Sequence, residues 1–180
     1  YLYKARIQQG LNLLGSTYDN VLEFGFGSGI LLPSLTNLSQ KVSGLDLVSD
    51  PQTIGAVLEK NGISVDLKKG NILDKIYKKD EFDLIVSFSV FEHIQHVGPV
   101  LEEMRRILKP GGHLLVGMPR VDKFMSNLFK SIGYKTINDH HVTSPESFSK
   151  VARQYFTVHA VRKFVGIFPL YYNYLLVKNE

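Results

Sequence analysis

Short apolar runs alternate along this chain with stretches in which apolar residues recur every three or four positions. That is the pattern of strands alternating with amphipathic helices. Residues 1–14 (YLYKARIQQGLNLL) predict a helix, and Val21-Leu22-Glu23-Phe24 predicts a short strand running into a glycine-rich turn, Gly25 to Gly29. A helix over 30–38 follows, with Pro33 tolerated in its first turn. The second strand is 41–47 (KVSGLDL), then a helix over 51–60 with Asp50 as cap, Pro51 at its first position and Asn61-Gly62 at its end. A third strand covers 65–68 and a fourth covers 82–88 (FDLIVSF), which is nearly all apolar, as a parallel strand buried on both faces requires. An amphipathic helix over 97–108 is broken by Pro110-Gly111-Gly112, and 113–118 (HLLVGM) is the fifth strand.

Beyond residue 118 the rhythm changes. Residues 121–132 predict a helix, 134–144 a loop, and Ser144-Pro145-Glu146 opens another helix with Ser144 as cap. Two strands, 156–164 and 169–177, close the chain. Only four residues separate them, too few for a helical crossover, so they are expected to be antiparallel. The whole predicts a doubly wound α/β fold: a seven-stranded, mostly parallel sheet with a C-terminal antiparallel strand.

A chain of 180 residues suits one domain with one core, and 44% hydrophobic with 21% charged residues argues against disorder. The net charge of +4 is spread: Lys68, Lys69, Lys75, Lys78 and Lys79 are interleaved with Asp66, Asp74, Asp80 and Glu81. A nucleic-acid partner, which needs a one-signed stripe, is therefore not expected. The absence of cysteine excludes disulfides, thiolate metal sites and a cysteine nucleophile, and is compatible with a cytoplasmic location. No apolar run approaches the roughly 18 residues of a membrane span, so stable membrane insertion is not expected, nor is a signal peptide read. The chain begins at Tyr1 rather than Met, so residues ahead of it are allowed for.

Ligands of open α/β sheets bind at the carboxyl ends of the strands, where the strand order reverses. The first strand and its turn read Val21-Leu22-Glu23-Phe24-Gly25-Phe26-Gly27-Ser28-Gly29. A dinucleotide fingerprint would place its third glycine at position 30, which is Ile30. The run also lacks the lysine and Ser/Thr ending of a phosphate-binding loop. The pattern it does match is E/D-x-G-x-G-x-G, and in this the chain resembles the class I S-adenosylmethionine-dependent methyltransferases. Later segments resemble the same family in the same order: Gly44-Leu45-Asp46-Leu47, Gly70-Asn71-Ile72-Leu73-Asp74, Phe82 to Ile94 (FDLIVSFSVFEHI), and Leu108 to Leu114 (LKPGGHL). The resemblance covers residues 20–118 and is to the broad group of small-molecule enzymes that includes ubiquinone-type and glycan-modifying members.

The resemblance implies a Rossmann-like fold and S-adenosyl-L-methionine as cofactor; no metal is expected, because the histidines match no reliable ligand spacing and the carboxylate cluster some relatives use for a divalent ion is not seen. Glu23 and the loop Gly25, Phe26, Gly27, Ser28 and Gly29 would surround the methionine end. Asp46, followed by Leu47, would hold the ribose, Asn71 and Ile72 would meet the adenine, and Ser87 and Phe88 would lie beside the sulfonium. The family usually has an acidic residue where Asn71 stands. Asn71 still accepts through its amide oxygen, and Asp74 is the alternative for that contact.

The acceptor is expected to be a small molecule, a sugar or a lipid precursor, free or carrier-linked, methylated on oxygen. The (D/N)-P-P-(Y/F/W) motif of DNA amino-methyltransferases is replaced by Ser87-Phe88-Ser89-Val90. Cytosine-C5 enzymes need a cysteine, and arginine methyltransferases need two glutamates where only Glu92 stands. His93 is the favoured base, with Glu92 as its orienter or as a substrate contact, unless the two only cap and pack the segment after the strand. His140 and His141 lie in the loop expected to fold over the same edge. Tyr171, Tyr172 and Tyr174, with Phe164 and Phe168, either line an acceptor pocket or pack the terminal hairpin. A monomer or homodimer is expected. A different class stays open: a catalytically inactive cofactor-binding subunit with a regulatory or scaffold role.

Overall fold

The computed structural model describes residues 2–15, 17–120, 142–165 and 169–179. Its strands are β1 (Asn20–Phe24), β2 (Lys41–Asp46), β3 (Asp66–Lys69), β4 (Phe82–Phe88), β5 (Leu108–Pro119), β6 (Thr157–Val165) and β7 (Pro169–Val177). They form one seven-stranded sheet in the order β3-β2-β1-β4-β5-β7-β6. The first five pair in parallel, and β7 runs antiparallel to both β5 and β6. The strand order reverses between β1 and β4, which puts the ligand crevice at their carboxyl ends.

The helices are α1 (Leu2–Leu11), α2 (Leu32–Leu35), α3 (Pro51–Lys60), α4 (Val97–Ile107) and α5 (Pro145–Ala152). Because side chains alternate across a strand, the sheet feeds two cores. One joins Leu22, Ile85, Leu114 and Tyr174 to Phe91, Leu101 and Met104 and to Phe148 of α5. The other joins Val21, Val86, Phe88, Leu115 and Tyr171 to Ile7 of α1 and to Leu32 and Leu35 of α2. In α4, Val97, Val100, Leu101, Met104 and Ile107 make a buried stripe at helical spacing, each contributing about 1.5–3 kcal/mol of burial. Asp50 caps α3 by accepting from the Gln52 and Thr53 N–H groups, and Ser144 caps α5 through the Ser147 N–H.

Two elements depart from the expected bounds. The helix expected over 30–38 contracts to the single turn of α2. Ile30 is exposed, and Ser39, whose hydroxyl lies within hydrogen-bond reach of the carbonyls of Asp19 at 2.9 Å and Lys41 at 3.1 Å, turns the chain into β2. The fifth strand, expected over 113–118, begins at Leu108. Pro110-Gly111-Gly112 is absorbed as an irregularity in the β4–β5 register, with Gly111 at φ +71° and its N–H donating to the Lys178 carbonyl. The helix expected over 121–132 lies outside the described residues, as does most of the loop expected over 134–144. Among the described residues no helix is long and apolar enough to cross a membrane.

Candidate functional site

The turn after β1 takes left-handed backbone at Gly25 (φ +81°), Gly27 (+51°) and Gly29 (+75°), which residues with a Cβ rarely adopt. Their surroundings differ. A Cβ on Gly25 would stand 2.3 Å from Cγ2 of Val90, and one on Gly29 would stand 2.6 Å from Cγ2 of Ile54. At Gly27 none of the described residues lies within 4 Å. The outer glycines are therefore where neighbouring elements close on the loop, and the middle one faces open space.

The Gly27 N–H donates to Oδ2 of Asp46 at 2.8 Å, while Oδ1 accepts from the Val48 and Ser49 N–H groups, each at 2.8 Å. Burial acts to raise the pKa of Asp46, but these backbone donors outweigh it and hold the group below the ordinary carboxylate value. The Ser49 hydroxyl adds to these donors, and Oδ2, held by the single backbone bond from Gly27, is the oxygen turned toward the glycine loop. Glu23, on β1, is buried, and its Oε2 has no hydrogen-bond partner among the described residues. Burial, reinforced by the charge of Asp46, pushes its carboxyl well above the ordinary value. An unmatched buried carboxylate oxygen costs about 1–3 kcal/mol or more, and a donor from a ligand would relieve it. The cradle thus offers close backbone approach at Gly27, an acceptor for a hydroxyl at Asp46 and an acceptor for an ammonium at Glu23. These three features fit a nucleoside-linked amino acid.

The other expected cofactor residues separate into two groups. Ser28 and Leu47 are exposed beside the cradle. Phe26 is buried, its ring so close over Gly44 that a Cβ there would stand 2.9 Å from Cδ1, and Ile72 is buried too. Both leave only backbone to a ligand. Asn71 spends its Oδ1 on the Leu73 N–H at 3.0 Å, capping the turn Ile72–Asp74. Ser87 is fully buried, its hydroxyl unmatched among the described residues, and Phe88 packs beneath α1 against Gly10.

After β4 the chain turns at Ser89, whose φ of +58° costs a non-glycine residue about 1–3 kcal/mol. Its N–H donates to the Gly117 carbonyl at 2.8 Å, and its Oγ is hydrogen-bonded to Tyr171 Oη at 3.0 Å. Sequence reasoning missed Ser89, Val90 and Arg6. It left Tyr171 between pocket lining and packing, and the tyrosine is buried with the Arg6 guanidinium 4.6 Å above its ring. The 3-10 turn Phe91–His93 then carries Glu92 inward and His93 outward. Glu92 Oε1 is 4.0 Å from His93 Nε2, with the histidine side chain 48% exposed and the glutamate 3%. Glu92 Oε2 has no hydrogen-bond partner among the described residues. Burial pushes the Glu92 carboxyl up to about 7, against its own backbone N–H and the charges of His93 and Arg6. His140 and His141 lie outside the described residues. Among the described residues no three His, Asp or Glu side chains gather as a metal site would need.

The raised Glu92 value has a sign that stability measurements can read. The folded protein keeps this proton up to about pH 7, whereas an unfolded chain releases it near 4.5. Its contribution is full below the unfolded value and is lost as the pH rises through the folded one, at about 1.4 kcal/mol per unit. Glu23 adds a slope of the same sign. Glu92→Gln is expected to flatten, without abolishing, the decline seen in urea titrations across that window. Identical slopes in the two proteins would mean that Glu92 is ionised throughout.

Comparison with known proteins bears on this geometry. A family model described as a methyltransferase domain matches residues 2–158. The ubiquinone biosynthesis O-methyltransferase of Colwellia psychrerythraea is 27% identical over 127 residues, which is 69% of this chain and 48% of that protein. The chain thus spans about half the length of this curated relative. Among solved structures, the PH0226 protein from Pyrococcus horikoshii superposes with a TM-score of 0.84 at 20% identity, covering 98% of this chain and 91% of that one. The N-methyltransferase NodS from Bradyrhizobium japonicum, in complex with S-adenosyl-L-homocysteine, superposes at 0.72 with 19% identity, covering 98% and 85%. At such identities the superpositions show a shared fold.

Proposed function

We infer the details of the reaction from a plain premise: this chain belongs to the methyltransferase-domain family and is a class I S-adenosylmethionine-dependent methyltransferase. Its acceptor is a small molecule, a sugar or a lipid precursor, and oxygen is the atom methylated. The observation that carries the cofactor site is the cradle at the switch point, where Gly27 is open, Asp46 is braced on three backbone N–H groups and Glu23 has an unmatched oxygen. Asp46 Oδ2 would take a ribose hydroxyl, Glu23 the methionine ammonium, and the exposed Leu47 an apolar edge of the nucleoside. The bound cofactor supplies a methyl group on a sulfonium, already activated toward in-line displacement.

What the chain adds is alignment and proton management. Alignment of acceptor and donor contributes on the order of 7–11 kcal/mol, and a general base a further 10²–10⁴-fold or so. The name of the relative supports oxygen as the acceptor atom. A hydroxyl must lose its proton during transfer, and His93, its side chain 48% exposed, stands just after β4 where an acceptor would arrive, with Glu92 beside it as orienter. The test is release of S-adenosylhomocysteine across a panel of catechols, sugars, prenylated phenols and amines. His93→Ala is expected to lower kcat by about 10²–10⁴-fold on the active acceptor while leaving cofactor affinity in place. Full turnover would end its role as base, and release with amines alone would move the acceptor atom to nitrogen.

A further inference from the structure

Ser89 stands in left-handed backbone directly at the end of β4, while the other non-glycine residues with positive φ among the described ones, Lys75 and Asp80, lie in the connection from β3 to β4. Its hydroxyl partner comes from far off: Tyr171 belongs to β7, with β5 between the two strands. Adjacent strands are about 4.8 Å apart, so the phenol has to cross an intervening strand to reach the turn. It crosses at Gly117, where a Cβ would stand 2.2 Å from Cδ1 of Phe88 and 2.8 Å from Cε1 of Tyr171. The same Gly117 accepts the Ser89 N–H through its carbonyl. The guanidinium of Arg6, from α1, lies over the same ring at 4.6 Å from its centroid. The next residue along the turn, Val90, is the one that rests on Gly25.

We propose that Tyr171 is a positioning residue of the methyl-transfer site: its hydroxyl, reaching across Gly117, holds the left-handed turn at Ser89 and thereby seats Val90 on the cofactor loop. This rests on reading residues 25–29 as that loop. Glycine adopts such a φ unaided and alanine does not, so the hydroxyl's role separates from ring packing by rescue. The full chain is compared with Tyr171→Phe, Ser89→Ala, Ser89→Gly and the Tyr171→Phe/Ser89→Gly pair. Two readouts are taken: S-adenosylhomocysteine affinity by calorimetry, and amide exchange of the segment 88–93 by mass spectrometry.

Tyr171→Phe and Ser89→Ala are each expected to weaken binding by about three- to tenfold, the loss of one hydrogen bond, and to speed exchange in the turn. Ser89→Gly is expected to restore both readouts in the Tyr171→Phe background. A pair as impaired as Tyr171→Phe alone overturns the proposal, since the hydroxyl would then not act through the turn at Ser89. If Tyr171→Phe does not fold, the Ser89 series decides: Ala weaker than Ser and Gly supports the proposal, and Ala equal to Ser overturns it. Failure of the unmodified chain to bind S-adenosylhomocysteine would sink the cofactor-loop reading, while the order of exchange rates would still decide whether the turn is held.

Discussion

Asp46→Ala is expected to lower affinity for S-adenosylhomocysteine by about a hundred- to a thousandfold while the protein stays folded. Two losses combine. A ribose hydroxyl loses a charged acceptor, worth about 1.5–3 kcal/mol, which is roughly one to two decades. The loop also loses its brace, because the Gly27 N–H has Asp46 as its acceptor and the Val48 and Ser49 N–H groups share the other oxygen. The half-buried setting of Asp46 lets water satisfy these three donors, so the fold survives. Asp46→Asn should recover little. An amide turned to accept from Val48 and Ser49 presents its NH₂ group to the Gly27 N–H, donor against donor. Calorimetric titration checks this, with circular dichroism to establish folding. Unchanged affinity in Asp46→Ala would remove the residue from the site.

The second large effect is a contrast between two glycines. Gly27→Ala is expected to abolish measurable cofactor binding, a loss of more than about a hundredfold, at modest cost to stability. None of the described residues lies within 4 Å of the added methyl group, so among them the folded chain bears only the left-handed strain of about 1–2 kcal/mol. For a domain of this size that lowers Tm by roughly 2–8 °C. Gly29→Ala carries the same strain and also drives a methyl group against Ile54 Cγ2 at 2.6 Å, with Leu32 Cδ1 behind it at 3.4 Å. Overpacking of that kind adds about 1–3 kcal/mol, so Gly29→Ala should melt lower than Gly27→Ala. Differential scanning calorimetry and titration of both variants test the crossed order. A Gly27→Ala protein that binds like the unmodified chain would mean that the ligand does not approach the open face of the loop.

Much of this architecture was legible before any coordinates. All seven strands were predicted, as were the caps Asp50 and Ser144 and the antiparallel hairpin at the end of the chain. These features rest on residues within a few positions of one another: alternation of apolar side chains, a carboxylate two or three residues ahead of open N–H groups, a gap too short for a crossover. Where neighbours in space mattered, local reasoning overran. The helix after the glycine turn is one turn long because Ser39 ties the chain to the carbonyls of Asp19 and Lys41. Pro110-Gly111-Gly112 sits inside β5 because the Lys178 carbonyl, from the far end of the chain, accepts the Gly111 N–H.

The site divides along the same line. The order of residues by itself determined that glycines 25, 27 and 29 follow one strand and that a carboxylate ends the next, since glycine's backbone freedom and the strand period act over short stretches. Only the tertiary structure decided that, among the described residues, Gly27 is the open glycine of the turn and Glu23 keeps an unmatched oxygen, and that Tyr171 reaches Ser89 from 82 residues away. Those depend on which strands lie side by side, and strand order arises from burial summed over the whole sheet, a quantity that no local window contains.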